Sequence, residues 1–127
     1  MYLLDTATFL WLAWDSPLVP ARIKALYQAP GSQVFLSAAS AFEIAVKHGL
    51  GKLPLPEAPD RLVPRLREGM GLRSLPVSEE AALGVGRLPN LHRDPFDRLL
   101  VAQAIAHGLT ILTPDEQVRA YPARTDW

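Results

Sequence analysis

The chain has 127 residues, enough for one domain with its own core, and 49% of them are hydrophobic, which argues against a disordered segment. Its 13 basic and 13 acidic residues cancel, so no overall positive field marks a nucleic-acid partner, and any such contact needs a local patch. There is no cysteine, which excludes disulfides, thiolate metal sites and cysteine nucleophiles and suits a reducing cytoplasm.

Short β-like runs alternate with helical ones along the whole chain, the pattern of a single α/β domain over residues 1–127 with a mainly parallel central sheet. "YLLD" opens it as a strand, followed by a helix, "TATFLWLAW", that is apolar almost all round, and an amphipathic one, "PARIKALYQA", with Ile23, Leu26 and Tyr27 on one side. "VFLS" is the second strand. "AASAFEIAVKHG" is the third helix, capped by Ser37 and stopped at Gly49, because "LGKLPLP" is too rich in glycine and proline to continue it. A helix over about 59–69 contains Pro64, which is expected to kink it or push its start later. "LRSLPV" is the third strand, "EEAALGVG" a short helix, "DPFDRLLVAQAIAHG" a strong one ended by His107 and Gly108, and "LTILT" the last core strand. With neither a basic leader nor an apolar run of about 18 residues, the chain is expected to be soluble, without a membrane partner and not exported.

The start of the strong helix holds two aspartates three residues apart. Asp94 precedes Pro95, and proline suits the first helical position because its missing N–H is one of the unpaired donors there. Asp94 is therefore the N-cap, accepting a free amide at the positive end of the helix dipole. Asp97, almost one turn later, is free to point out of the helix end toward Asp5. Parallel α/β sheets bind ligands at the carboxyl ends of their strands. Asp5 ends the first strand, Asp115 follows the last core strand by two residues, and Asp97 begins the helix leading into that strand. Glu43 lies one and a half turns into the helix after the second strand, among Phe42, Ile44 and Ala45. Lys47, four residues on, offers it a simple salt bridge instead. Four carboxylates sharing one crevice repel unless a cation sits among them. An all-oxygen ligand set without cysteine or paired histidines favours Mg²⁺ or Mn²⁺ over zinc, and such sites carry out phosphoryl chemistry.

These residues resemble the PIN-domain ribonucleases, and within them the VapC-type toxins of toxin–antitoxin pairs. The likeness covers nearly the whole chain and rests on "LLDT" at 3–6, "SAASAFEIAVKHGLGKL" at 37–53, "HRDPFDRLLVAQA" at 92–104 and "ILTPD" at 111–115. The resemblance implies a three-layer α/β/α fold and an acidic site of Asp5, Glu43, Asp97 and Asp115, with Thr6 and Thr113 as hydroxyl supports. It further implies cleavage of RNA by water, dependent on Mg²⁺ or Mn²⁺. The first predicted helix carries Phe9, Leu10, Trp11, Leu12 and Trp14, which cannot all face one core from one helix. For that surplus the resemblance offers a homodimer and a groove that receives the tail of an antitoxin.

Arg93 and Arg98 flank the predicted crevice and either hold phosphates or form surface pairs, while Lys47 and Lys52 stand on the same footing. His48, His92 and His107 lie on three segments with no metal-ligand spacing and read as solvated or capping residues. A phosphatase with an aspartate nucleophile usually needs a second aspartate two residues after the first, where this chain has Ala7. A non-catalytic receiver or adaptor with an acidic Mg²⁺ pocket remains the competing reading.

Overall fold

Asp5, Ser37, Ser78, Asp94 and Asp115 each accept a backbone amide of the helix that follows, marking five of seven helix starts in the computed structural model, which describes residues 1–127. The chain runs through β1 (Tyr2–Leu4), α1 (Thr6–Ala13), α2 (Ala21–Gln28), β2 (Val34–Ser37), α3 (Ala38–Gly49), α4 (Pro59–Gly69) and β3 (Arg73–Leu75). It continues through α5 (Glu79–Gly84), a 3₁₀ turn (Val85–Arg87), α6 (Pro95–His107), β4 (Thr110–Leu112), α7 (Glu116–Arg119) and β5 (Thr125–Asp126). Gly108 ends α6 at φ 65°, in the left-handed region that costs glycine little.

All five strands are parallel, in the order β3-β2-β1-β4-β5. From β1 the chain steps outward through β2 to β3, then returns to lay β4 on the other side of β1. The order reverses between β1 and β4, and such a switch point opens a crevice at the carboxyl ends of the two strands.

Successive side chains of a strand point to opposite faces, and the two cores follow that rule. Leu3 and Ile111 pack with Leu100, Val101 and Ala104 of α6 and with Val118 and Tyr121. Leu4 and Leu112 pack on the other face with Phe9, Ile23, Ile44 and Val63, from α1 to α4. The result is the expected three-layer α/β/α arrangement.

Pro64 neither delays nor breaks α4, which begins at Pro59 and runs unbroken to Gly69. Leu62 and Val63 are buried there with Leu66 packed beside them, and this apolar contact outweighs the one lost backbone hydrogen bond. The surplus of α1 is largely absorbed within the chain. Phe9 is fully buried, Leu10, Trp11 and Leu12 pack against the same core, Trp11 lies 6.1 Å from Trp127, and only Trp14 stays exposed.

Candidate metal centre

The switch point gathers the acids. Asp5, Glu43, Asp97 and Asp115 line one cleft of about 180 Å³, together with Thr6, Asp94 and Lys47. Asp5 leaves β1 as the cap of α1: its Oδ1 accepts from the Thr8 amide at 2.7 Å and its Oδ2 from the Thr113 hydroxyl at 2.5 Å. Thr113 also receives the Asp115 amide at 3.0 Å, so one hydroxyl ties the end of β4 to the end of β1. Asp115 caps α7 by accepting from the Gln117 amide at 2.9 Å. Asp94 caps α6, its Oδ1 accepting from the amides of Phe96 (2.9 Å) and Asp97 (3.1 Å). Three helix starts thus face one cleft, and their dipoles favour the negative charge gathered there.

Glu43 meets both of its sequence readings at once. It forms the ion pair with Lys47 and also lines the cleft, almost fully buried. Thr6 Oγ1 lies 2.6 Å from Glu43 Oε1 and 2.9 Å from the Ser40 hydroxyl. Having one hydrogen, Thr6 donates it to the carboxylate and receives from Ser40. The pairing with Glu43 raises the Lys47 pKa, and Asp94 and Asp97 raise it further.

The charges feel one another. Burial pushes the Asp5 carboxyl above its ordinary value against the hydrogen bonds of Thr113 and Thr8, with Asp115 adding repulsion. Asp97 is raised to about 6, first by burial and then by the charges of Asp94, Asp115 and Glu43, with a hydrogen bond from His92 working the other way. Asp97 lines the same cleft as Asp5, and its Oδ2 is taken by the His92 ring at 3.1 Å. No three of the acids or histidines converge closely enough to clamp an ion as they stand. Each is held by a donor of its own: Asp5 by Thr8 and Thr113, Glu43 by Thr6 and Lys47, Asp97 by His92, and Asp115 by Gln117. A divalent ion nonetheless fits the donor chemistry, since the cleft offers only carboxylate and hydroxyl oxygens and a single lysine against five acids.

Two basic and polar readings are corrected. Arg98 neither faces a phosphate site nor pairs with an acid; its guanidinium donates to the carbonyls of Val85 and Pro89 and to the Tyr121 hydroxyl, tying the loop before α6 to the helix. His92 is neither solvated nor a helix cap. Its side chain is only 6% exposed and bridges Asp97 and Tyr121. His48 does act locally, its Nδ1 lying 3.0 Å from the Leu53 carbonyl. A more apolar groove of about 440 Å³ lies between α5 and α6 beside Pro122, away from these acids.

A family model for the PIN domain matches residues 2–123. The chain belongs to the PIN-domain family. Solved structures share this PIN fold over nearly their full length. FitAcB from Neisseria gonorrhoeae is 24% identical, with a TM-score of 0.67 and coverage of 98% of this chain and 96% of that one. VapBC2 from Rickettsia felis, bound to a DNA fragment from its promoter, is 17% identical, with a TM-score of 0.72 and coverage of 99% and 98%. A toxin–antitoxin complex from Klebsiella pneumoniae is 16% identical, with a TM-score of 0.65 and coverage of 100% and 97%. No curated protein sequence matches this PIN domain.

The two aspartates of the "DPFDR" segment are expected to fail differently. Asp94→Ala removes the cap of α6 and should cost about 1 kcal/mol, or roughly 4 °C in a domain of this size, with metal binding and cleavage partly kept. Asp97→Ala should abolish both at little cost in melting temperature. Melting curves beside a cleavage assay separate them, and an inactive Asp94 variant beside an unstable Asp97 variant would reverse the assignment.

Proposed function

We propose that this chain is a Mg²⁺- or Mn²⁺-dependent endoribonuclease and the toxin of a toxin–antitoxin pair. The observation that carries the reading is the cleft at the β1–β4 switch point, where Asp5, Glu43, Asp97 and Asp115 border one small polar space. Asp5, Asp97 and Asp115 would hold the ion, with Glu43 joining them or orienting water from its place beside Lys47. When bound, a divalent ion polarises a phosphate and lowers the pKa of water at the site. Thr113 and Thr6 hold Asp5 and Glu43 in their rotamers, and Lys47 keeps the acids together by offsetting their repulsion.

The toxin reading draws on the PIN family and on the toxin–antitoxin complex among its structural neighbours. An antitoxin and a second copy of the chain are the proposed protein partners. Exposed Trp14, Leu18, Leu83 and Ile105 supply apolar surface for them. No helix is long and apolar enough to cross a membrane; the proposed cytoplasmic location follows from the toxin reading alone.

Labelled single-stranded RNA incubated with the purified chain should be lost in Mg²⁺ or Mn²⁺ and persist in chelator. If acetyl phosphate instead labels one aspartate and RNA stays intact, the non-catalytic receiver replaces this reading.

A further inference from the structure

Behind Asp97 lies a chain of hydrogen bonds whose direction can be worked out. The Tyr121 hydroxyl has three polar neighbours: Arg98 Nη1 at 2.9 Å, the His92 backbone N at 3.3 Å and the His92 ring Nδ1 at 2.7 Å. A guanidinium and a backbone N–H can only donate. They occupy the acceptor capacity of the phenol oxygen, so its one hydrogen must go to the third neighbour. Nδ1 of His92 is therefore an acceptor, and the ring proton sits on Nε2, which lies 3.1 Å from Asp97 Oδ2. The imidazolium form would point a third donor at an oxygen already receiving two and leave the phenol hydrogen without a partner.

The components are firmly placed. Tyr121 is buried in the same core as Leu100, Val101 and Val118, its ring centroid lies 5.3 Å from that of His92, and the Arg98 guanidinium carbon lies 5.8 Å from the ring centre. Arg98 is fixed in turn by the carbonyls of Val85 and Pro89.

We propose that His92 is a positioning residue: held as the Nε2–H tautomer by the Tyr121 hydroxyl, it fixes one oxygen of Asp97 and leaves the other directed to the acidic cleft. The lock itself needs only the hydrogen bonds above, while its effect on an ion rests on the metal-site reading of Asp97. Outer partners of this kind orient a ligand, and their loss typically costs 10–100-fold in metal affinity or activity.

The test pairs long-range ¹H–¹⁵N spectra of the metal-free protein with Mn²⁺ titration of the same samples. Wild type should show His92 protonated on Nε2 alone. Tyr121→Phe, a conservative change that keeps the ring in the core, should let the other tautomer appear and weaken Mn²⁺ binding about tenfold or more. His92→Ala should weaken it 10–100-fold, whereas His92→Gln, whose amide can donate from the place of Nε2, should stay within a few-fold of wild type. A merely structural histidine would move melting temperatures and leave tautomer and affinity alone. Protonation of wild-type His92 on Nδ1, or unchanged Mn²⁺ affinity in both Tyr121→Phe and His92→Ala, overturns the proposal. Wild type that shows the Nε2–H tautomer but binds no Mn²⁺ would establish the lock and overturn the metal-site reading instead.

Discussion

Asp5→Asn is expected to abolish RNA cleavage while raising the melting temperature of the metal-free protein. The amide is nearly isosteric: its Oδ1 still accepts from the Thr8 amide, and its Nδ2 donates to Thr113 Oγ1, which rotates its own hydrogen away. What disappears is the charge. Burial raises the Asp5 pKa, so ionising this carboxyl costs more in the folded than in the unfolded chain, and at neutral pH folding bears that cost. Removing it also relieves the repulsion from Asp115. Loss of cleavage with a raised melting point and an unchanged circular dichroism spectrum is the signature of a functional acid kept at the expense of stability. A variant that still cuts RNA would exclude Asp5 from the chemistry.

The second large effect is the response to metal, and it carries its own pH window. An ion present at a hundredfold its dissociation constant and bound only by the folded state adds about 2.7 kcal/mol, or about 10 °C in a 127-residue domain. Asp97 has a folded pKa of about 6, above its ordinary value. Its contribution to the stability of the metal-free protein is therefore fully present below the unfolded pKa near 4 and is lost as pH rises through 6. Metal binding needs the deprotonated carboxylates and runs the other way. The gain from millimolar Mn²⁺ should be absent near pH 4.5, emerge around pH 6 and be complete above pH 7. It should vanish at every pH in a variant lacking both Asp5 and Asp97. Hard ions in open sites commonly take part of their coordination from substrate phosphates, so millimolar concentrations are the fair condition. A gain that is independent of pH between 4.5 and 7.5 would place the ion elsewhere.

The parts of this molecule that local pattern controls were readable before the structure. Strands β1 to β4 and helices α1 to α6 announce themselves by apolar runs, caps and breakers, and Asp5 and Asp115 follow from the rule that parallel sheets bind ligands beyond their strand ends. The cap at Asp94 was legible because Pro95 follows it. Helix α7 and strand β5, at four and two residues, are too short for any periodicity to show. They are held by tertiary contact instead: Val118 enters the core beside α6, and β5 pairs Thr125 with Ile111.

The surroundings of Asp97 were hidden for a different reason. His92 and Tyr121 are 29 residues apart, and neither carries a spacing that predicts their meeting. The nearest signal was the presence of His92 in the same short segment as Asp94 and Asp97, five residues from the acid it holds. Arg98 misled for a related reason. A guanidinium beside acids in sequence reads as a phosphate or salt-bridge residue, whereas its length lets it reach back to the carbonyls of Val85 and Pro89.

The most direct test of the central claim, that these acids form one divalent-ion site, is calorimetric titration of Mn²⁺ at pH 7.5 into wild type and into Asp5→Asn, Asp97→Asn and Asp115→Asn. The account predicts saturable binding by wild type at up to millimolar affinity, and its loss in each of the three variants with the fold retained. Wild type that takes up no Mn²⁺, or three variants that bind it as wild type does, would contradict the account.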